Sequence, residues 1–288
     1  MLNIISVLKP YNPETKSGLI VFDKPTGITT NDLVYQVRKE YGTRKVGAAG
    51  VLDPFATGAV IIGIGNCTKD LTQFENCEKT YEFEMIFGLQ TLSGDNQDMI
   101  VDIVPFRKVP NVNEAKGLSI DTLATNRQNI ISTFPNSYFQ EVPLLSSVKV
   151  QGHKLRELTR KNVNNIEFLS EYKFNIKTER EVNFKKSEII LKIPRRKVEI
   201  KSLELLETGT KSYNQIIQNA SQEFINSFNC FLGEAVPQSG AEGVHFSYFK
   251  FKTTVSKGTY IRKLAEDIAF LNNELGCVML LSRTSYIA

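Results

Sequence analysis

Tryptophan is absent from this 288-residue chain, and histidine occurs only twice, at His153 and His245. A His-rich metal site cannot be built from two histidines, and a Ser-His-Asp triad would have to use one of them. The four cysteines, Cys67, Cys77, Cys230 and Cys277, lie far apart and form no CxxC pair. That argues against a disulfide framework and against a zinc knuckle. No apolar run approaches the ~20 residues of a membrane span. The N-terminal MLNIISVLKPYNPETK has no long apolar core and carries an early Lys-Pro, so it does not read as a signal peptide. A cytoplasmic protein without membrane contact is expected. Neither GxxxxGK[ST] nor GxGxxG after the first strand occurs, which leaves a P-loop or a dinucleotide site unsupported. There is no internal repeat and no low-complexity tract. What remains is an ordinary globular composition, 41% hydrophobic and 23% charged, with a net charge of +4. A mild positive balance fits a polyanionic partner but does not require one.

Hydrophobic periodicity sets out the elements. GLIVFDK (18 to 24) reads as a strand, and Lys24-Pro25-Thr26-Gly27 as a turn. Thr30 or Asn31 is the expected cap of a helix through DLVYQVRKEY, with Leu33, Val34, Val37 and Tyr41 on one face and Gly42 as its stop. AVIIGIG (59 to 65) and KTYEFEMIFG (79 to 88) read as strands, and 89 to 98 as loop. A helix is expected around 119 to 133. In 143 to 162 the reading is an extended segment, a turn at Gln151-Gly152 and a helix with Leu155 and Leu158 inward. Two strands broken at Pro194 follow. Residues 208 to 243 read as an insertion with helical character at YNQIIQNASQEFINSF. HFSYFKFKTTV (245 to 255) alternates as a strand, and a loop then leads into a helix through IRKLAEDIAFL. LLSRTSYIA closes the chain. Alternating strands interleaved with helices predict an α+β or mixed α/β sheet rather than a parallel doubly wound one.

One carboxylate is conspicuous. In VGAAGVLDPFATGAVIIGIGNCTK, Asp53 stands among Gly47, Gly50, Gly58, Ala48, Ala49 and Ala56. The following proline biases it toward an extended backbone, and the small residues leave room for a ligand to approach. The competing reading is an Asx turn before a strand, and the residues alone leave the two about equal.

The same stretch resembles the signature loop of the TruB family of pseudouridine synthases, K-x-G-H-x-G-x-LDP-x-ATG-x-L, whose aspartate is catalytic. Three further blocks resemble that family in its order: GLIVFDKPTGITTNDLV, KTYEFEMIFGLQTLSGD and VSKGTYIRKLAEDI, the last matching SKGTYIR without a break. PLLSSVKVQGHKLRELTR is a weaker match. The resemblance implies a pseudouridine synthase fold: one α+β catalytic domain over 1 to 288, with a central mixed, mostly antiparallel sheet flanked by helices and loops. It leaves 208 to 243 as an insertion and no room for a C-terminal PUA-type RNA-binding domain. It implies isomerisation of uridine to pseudouridine in tRNA, at position 55 of the TΨC arm, by a monomer needing no cofactor and no metal. By position, Asp53 matches the catalytic aspartate and Tyr81 the tyrosine that stacks on the flipped uracil. Arg262 matches the arginine paired with the aspartate, and Asp95 the acid ending the second block. Lys24 matches a turn near the site, and Leu281 an apolar residue of the base pocket. Tyr260 belongs to the SKGTYIR block, and Lys149 and Arg160 fall at family positions suited to RNA phosphates. The chemistry agrees: the reaction needs a carboxylate held ionised by an adjacent cation and an aromatic face to receive an extruded base.

The chain departs from the family pattern at several points. Ala48 stands where the family has a histidine. Val142, Leu145 and Arg156 replace motif residues in the weak block, and Leu92 and Gly94 interrupt the second. Ala48 motivates a second reading, a divergent tRNA-binding or remodelling protein with weak or no isomerase activity. A third, a glycosidase-like hydrolase, needs a second carboxylate facing Asp53 at roughly 5 to 9 Å, for which Asp95 is the candidate. Arg262 beside Asp53 would count against it.

Overall fold

The computed structural model describes residues 2–103, 134–161, 166–170, 173–182, 185–232, 245–272 and 274–287. A nine-stranded sheet carries the fold. Its strands are β1 (Ile4–Asn12), β2 (Ser17–Lys24), β3 (Val46–Ala48), β4 (Thr57–Ile64), β5 (Glu78–Phe87), β8 (Ser137–Glu141), β14 (Arg195–Ser212), β15 (His245–Val255) and β16 (Gly276–Ile287). The spatial order is β1-β2-β4-β16-β5-β15-β14-β8, with β3 paired to β4. Every pairing is antiparallel except β16 with β4. The mixed, mostly antiparallel sheet that the family resemblance implied is therefore present. Four short strands, β6 (Leu89–Thr91), β7 (Ile100–Ile103), β9 (Lys149–Val150) and β10 (His153–Lys154), form two small hairpins. Strands β11 (Ile166–Ser170), β12 (Lys173–Val182) and β13 (Lys185–Lys192) make a separate three-stranded sheet.

The near-continuous apolar run of β4 follows from its burial on both faces. Val60, Ile62 and Ile64 join the main core with Phe22, Phe83 and Phe251, while Ala59 and Ile61 pack with Leu19, Val21 and Leu71 on the other side. The Thr30–Glu40 helix contributes Leu33, Val34 and Val37 to the main core, and the Ile261–Leu271 helix contributes Leu264, Ala265 and Ile268. Their i, i+3, i+4 spacing puts each set on one face.

Several local expectations are corrected. The cap of the first helix is Thr29, not Thr30 or Asn31: the Thr29 hydroxyl accepts from the Asp32 amide, and the Asp32 carboxylate accepts from the Thr29 amide at 2.8 Å. Residues 208 to 212 continue β14, so the excursion begins at the Tyr213–Ile217 helix and runs through the Gln222–Leu232 helix. Residues 89 to 91, read as loop, form β6. The closing LLSRTSYIA, to which no element was assigned, supplies most of β16, a central strand. The N-terminal residues form β1, joined to β2 by a turn in which the Asn12 side chain accepts from the Glu14 and Thr15 amides. Leu155 is buried as expected, whereas Leu158 is half-buried. The helix expected around 119 to 133 lies outside the described residues. Among the described residues no helix is long and apolar enough to cross a membrane.

Candidate active site

Asp53 sits in the turn between β3 and β4, beside the middle of the sheet. Four neighbours fix that turn. The Thr30 hydroxyl donates to the Leu52 carbonyl at 3.1 Å and accepts from the Leu52 amide at 2.9 Å. The Thr26 hydroxyl donates to the Phe55 carbonyl at 2.9 Å. The Gly27 amide donates to the Pro54 carbonyl at 2.9 Å, and Lys24 Nζ reaches that same carbonyl at 3.1 Å. Lys24 is fully buried and also donates to the carbonyls of Pro25 at 2.9 Å and Ile28 at 2.7 Å. Burial lowers its pKa to about 8, against the opposing pull of Asp53. The expected turn residue is thus a buried clamp that ties the Pro25–Ile28 turn to the aspartate loop.

Arg262 meets Asp53 as a fork. Its Nε donates to Asp53 Oδ2 at 2.9 Å and its Nη2 to Asp53 Oδ1 at 3.3 Å. Such bidentate, charge-assisted pairs fix orientation as well as charge. Arg262 also donates through Nη1 to the Ser93 carbonyl, and its Nε lies 3.6 Å from Asp95 Oδ2. Burial by itself would lower the arginine's pKa; the two carboxylates outweigh it and the guanidinium is held charged. Arg262 is the second residue of its helix, where the helix dipole disfavours a cation. The two acids supply the attraction that the helix end does not.

The two acids differ in access. The Asp53 side chain is 33% exposed, the Asp95 side chain 6%. Asp95 accepts from the Ser93 hydroxyl at 2.6 Å and the Gln97 amide at 3.0 Å. Burial pushes its carboxyl up, opposed by Arg262 and these donors. Asp53 is therefore the acid open to a ligand, and Asp95 a buried partner of the arginine. The group facing Asp53 is an arginine, which counts against a glycosidase-like pair of carboxylates.

Tyr81 lies on β5, and burial raises its phenol's pKa. Leu281, buried on β16, stands opposite Phe83 and belongs to the same core cluster as Tyr81. Tyr260 caps the Ile261–Leu271 helix; its amide donates to Gln140 Oε1 at 2.7 Å and its carbonyl accepts from Gln140 Nε2 at 3.1 Å. Burial raises the Tyr260 phenol's pKa, with Arg196 and Arg262 opposing and Asp53 adding to the rise. The structure thus gathers Asp53, Arg262, Asp95, Lys24, Tyr81 and Tyr260. Lys149, on β9, and Arg160, in the Leu155–Lys161 helix, are exposed and neither hydrogen-bonds nor ion-pairs with that cluster. Ala48, half-buried on β3, pairs with Ile62.

Arg283 escaped the sequence reading. It is 1% exposed, stands directly opposite Tyr81 across the β16–β5 ladder, and donates through Nε to the Ala59 carbonyl at 2.7 Å. Its guanidinium lies over the Tyr286 ring, 4.8 Å from the centroid. The signal was one arginine inside a segment otherwise short of charge. Gly58 permits this crossing: its φ is +105°, and a Cβ there would fall 2.3 Å from the Arg283 carbonyl oxygen.

Residues 38–189 match the family model of the TruB family pseudouridylate synthases, N-terminal domain. The chain is 31% identical over 252 residues to tRNA pseudouridine synthase B of Shouchella clausii, covering 88% of this chain and 61% of that protein. It is 28% identical to the protein of that name from Syntrophobacter fumaroxidans, covering 91% and 60%. For the one from Mycoplasma mycoides the figures are 30%, 93% and 68%. The chain thus spans about 60% of the length of the first two relatives. In fold it is similar to a chain in the crystal structure of a Cbf5-Nop10-Gar1 complex, with 16% identity, a TM-score of 0.51, and coverage of 99% of this chain and 57% of that one.

Proposed function

This chain belongs to the TruB family of pseudouridylate synthases, and from that premise we propose that it isomerises uridine to pseudouridine in tRNA, at position 55 of the T arm, with Asp53 as the reacting carboxylate. The observation that carries the reading is the fork between Arg262 and the solvent-accessible Asp53, in the loop that the family motif occupies. Isomerisation breaks the N1–C1′ bond, turns the base and forms a C5–C1′ bond; C5 gives up a proton and N1 gains one. A carboxylate can act by attacking the nucleotide or by taking a proton from the sugar. Either role requires Asp53 to be aimed, which the two hydrogen bonds from Arg262 do. The Lys24 clamp and the Thr30 bonds to Leu52 hold the loop before substrate arrives, so little ordering remains to be done in the reaction.

The target uridine must leave its stack. Tyr81 is the aromatic face offered to it and is placed for proton transfer at C5, with Leu281 lining the base pocket. Tyr81 is 8% exposed, so only a small part of its ring is open to an incoming base. The tRNA stem-loop is recognised by shape and phosphate contacts, for which Lys149 and Arg160 are the candidates. The chemistry uses no cofactor and no metal. The acting unit is read as a monomeric, cytoplasmic enzyme with one catalytic domain.

Ala48 favours a second reading, a tRNA-binding or remodelling protein that isomerises weakly or not at all. The test is Asp53→Asn. It is expected to abolish pseudouridine formation, a loss of at least ~10³-fold, while tRNA binding measured by filter retention persists. Wild-type turnover by that variant would remove Asp53 from the chemistry.

A further inference from the structure

Residues 92 to 100 carry Ser93 and Asp95 against Arg262, and they are gripped from the opposite side by the helical excursion that interrupts the sheet after β14. The Asn96 side chain donates to the Asn219 carbonyl at 3.3 Å and to the Met279 carbonyl at 3.3 Å. Gln97 Nε2 donates to the same Asn219 carbonyl at 3.1 Å. The Ser221 amide donates to the Asn96 carbonyl at 3.0 Å, and the Ile100 amide donates to Ser227 Oγ at 2.9 Å. Beneath these bonds lies a separate apolar cluster in which Ile216, Phe224 and Phe228 of the excursion pack with Leu89 of β6 and Ile100, where the loop enters β7. All five side chains are buried at 2% exposure or less, and so is Asn96 at 1%.

From this arrangement we propose that the Tyr213–Leu232 excursion is a positioning element for the active site: it holds the 92–100 loop in the one register that sets Asp95 and the Ser93 carbonyl on Arg262. The line of force is short. Asn219 and Ser227 fix Asn96, Gln97 and Ile100; the Gln97 amide and Ser93 hydroxyl fix the Asp95 carboxylate; Asp95 and the Ser93 carbonyl fix Arg262; and Arg262 aims Asp53. The same loop is where Leu92 and Gly94 depart from the family pattern, so the chain's own support lies against its own variant loop. The inference rests on the isomerase reading for its functional consequence but not for its structural one.

The experiment uses the full chain with Ser227→Ala, Asn96→Ala and the conservative Ser227→Thr, which keeps the accepting oxygen. Two quantities are read: amide hydrogen exchange across 92–100, and kcat and KM for pseudouridine formation on an unmodified tRNA transcript. Ser227→Ala and Asn96→Ala are expected to speed exchange in the loop about tenfold and to lower kcat several-fold with KM unchanged, while Ser227→Thr behaves as wild type. A purely scaffolding role would lower the melting temperature and leave loop exchange and kcat where they were. That outcome, or faster exchange with kcat unchanged, overturns the proposal. Should the wild-type chain form no pseudouridine, the isomerase reading fails, and the exchange data alone decide whether the excursion holds the loop.

Discussion

Arg262 holds two acids of unequal burial, and its removal would leave both without their cation. Asp95 is buried, so Arg262→Met should destabilise the fold by about 3 kcal/mol, the usual cost of orphaning a buried charge. A shift in urea midpoint checks this, and a midpoint unchanged from wild type would show that the network carries no such load. Arg262→Lys keeps the charge but loses the fork, so it should recover stability more than turnover. Lys24 gives a pH signature. Its folded pKa of about 8 lies below the ordinary lysine value. Between the two values the unfolded chain binds more protons than the folded one, so stability rises with pH from about 8 to about 10.5. The full rise is roughly 3 kcal/mol by the size of the shift. Denaturant titrations across that window should show the rise in wild type and a flatter curve in Lys24→Met; parallel curves would mean that Lys24 is not the titrating group.

At the scale of elements, the loop of Asp95 depends on a glycine. Gly94 has a φ of +77°, and a Cβ there would fall 2.8 Å from Glu266 Oε1 and 3.3 Å from Arg262 Cβ. Gly94→Ala adds the ~1 kcal/mol of a left-handed backbone to an overlap with the Glu266 carboxylate and a tight contact with the Arg262 stem. Turnover should fall about tenfold with tRNA affinity kept, as read from a KM and kcat comparison; full activity would show that the loop gives way without consequence. This departure from the family pattern therefore has a local reason that the sequence could not display. Other elements were legible because their signal is local. The Thr30–Glu40 helix has its apolar face and Gly42; β5 alternates; SKGTYIR is contiguous. What was missed depends on distant pairing. β1 has Ile4, Ile5, Val7 and Leu8 all exposed, so no buried face betrays it. β16 is defined by lying between β4 and β5, which nothing in LLSRTSYIA announces. The excursion's helices could be read from 213 to 228, but not that they lean on the loop of Asp95.

For the whole molecule, Asp53 lies in the loop before β4, whereas Lys149 and Arg160 lie on the β9–β10 hairpin and the Leu155–Lys161 helix, outside the nine-stranded sheet. Asp53 and its pairing with Arg262, 209 residues later, were both expected from the family motifs; the bidentate geometry of the pair and the second acid on the arginine are properties of the closed fold. Lys149 and Arg160 are both exposed. Each, changed to alanine, should weaken tRNA binding several-fold and reduce the slope of log affinity against log salt by about one, without altering kcat. Unchanged slopes would remove them from the phosphate path. The claim on which the rest depends is that this chain isomerises a single tRNA uridine through Asp53. It is tested most directly by reading pseudouridine by position on an unmodified tRNA transcript, with wild type and Asp53→Asn side by side. Pseudouridine at position 55 is expected with wild type and none with the variant. Tight tRNA binding with no product from wild type would contradict it and leave a binding protein in its place.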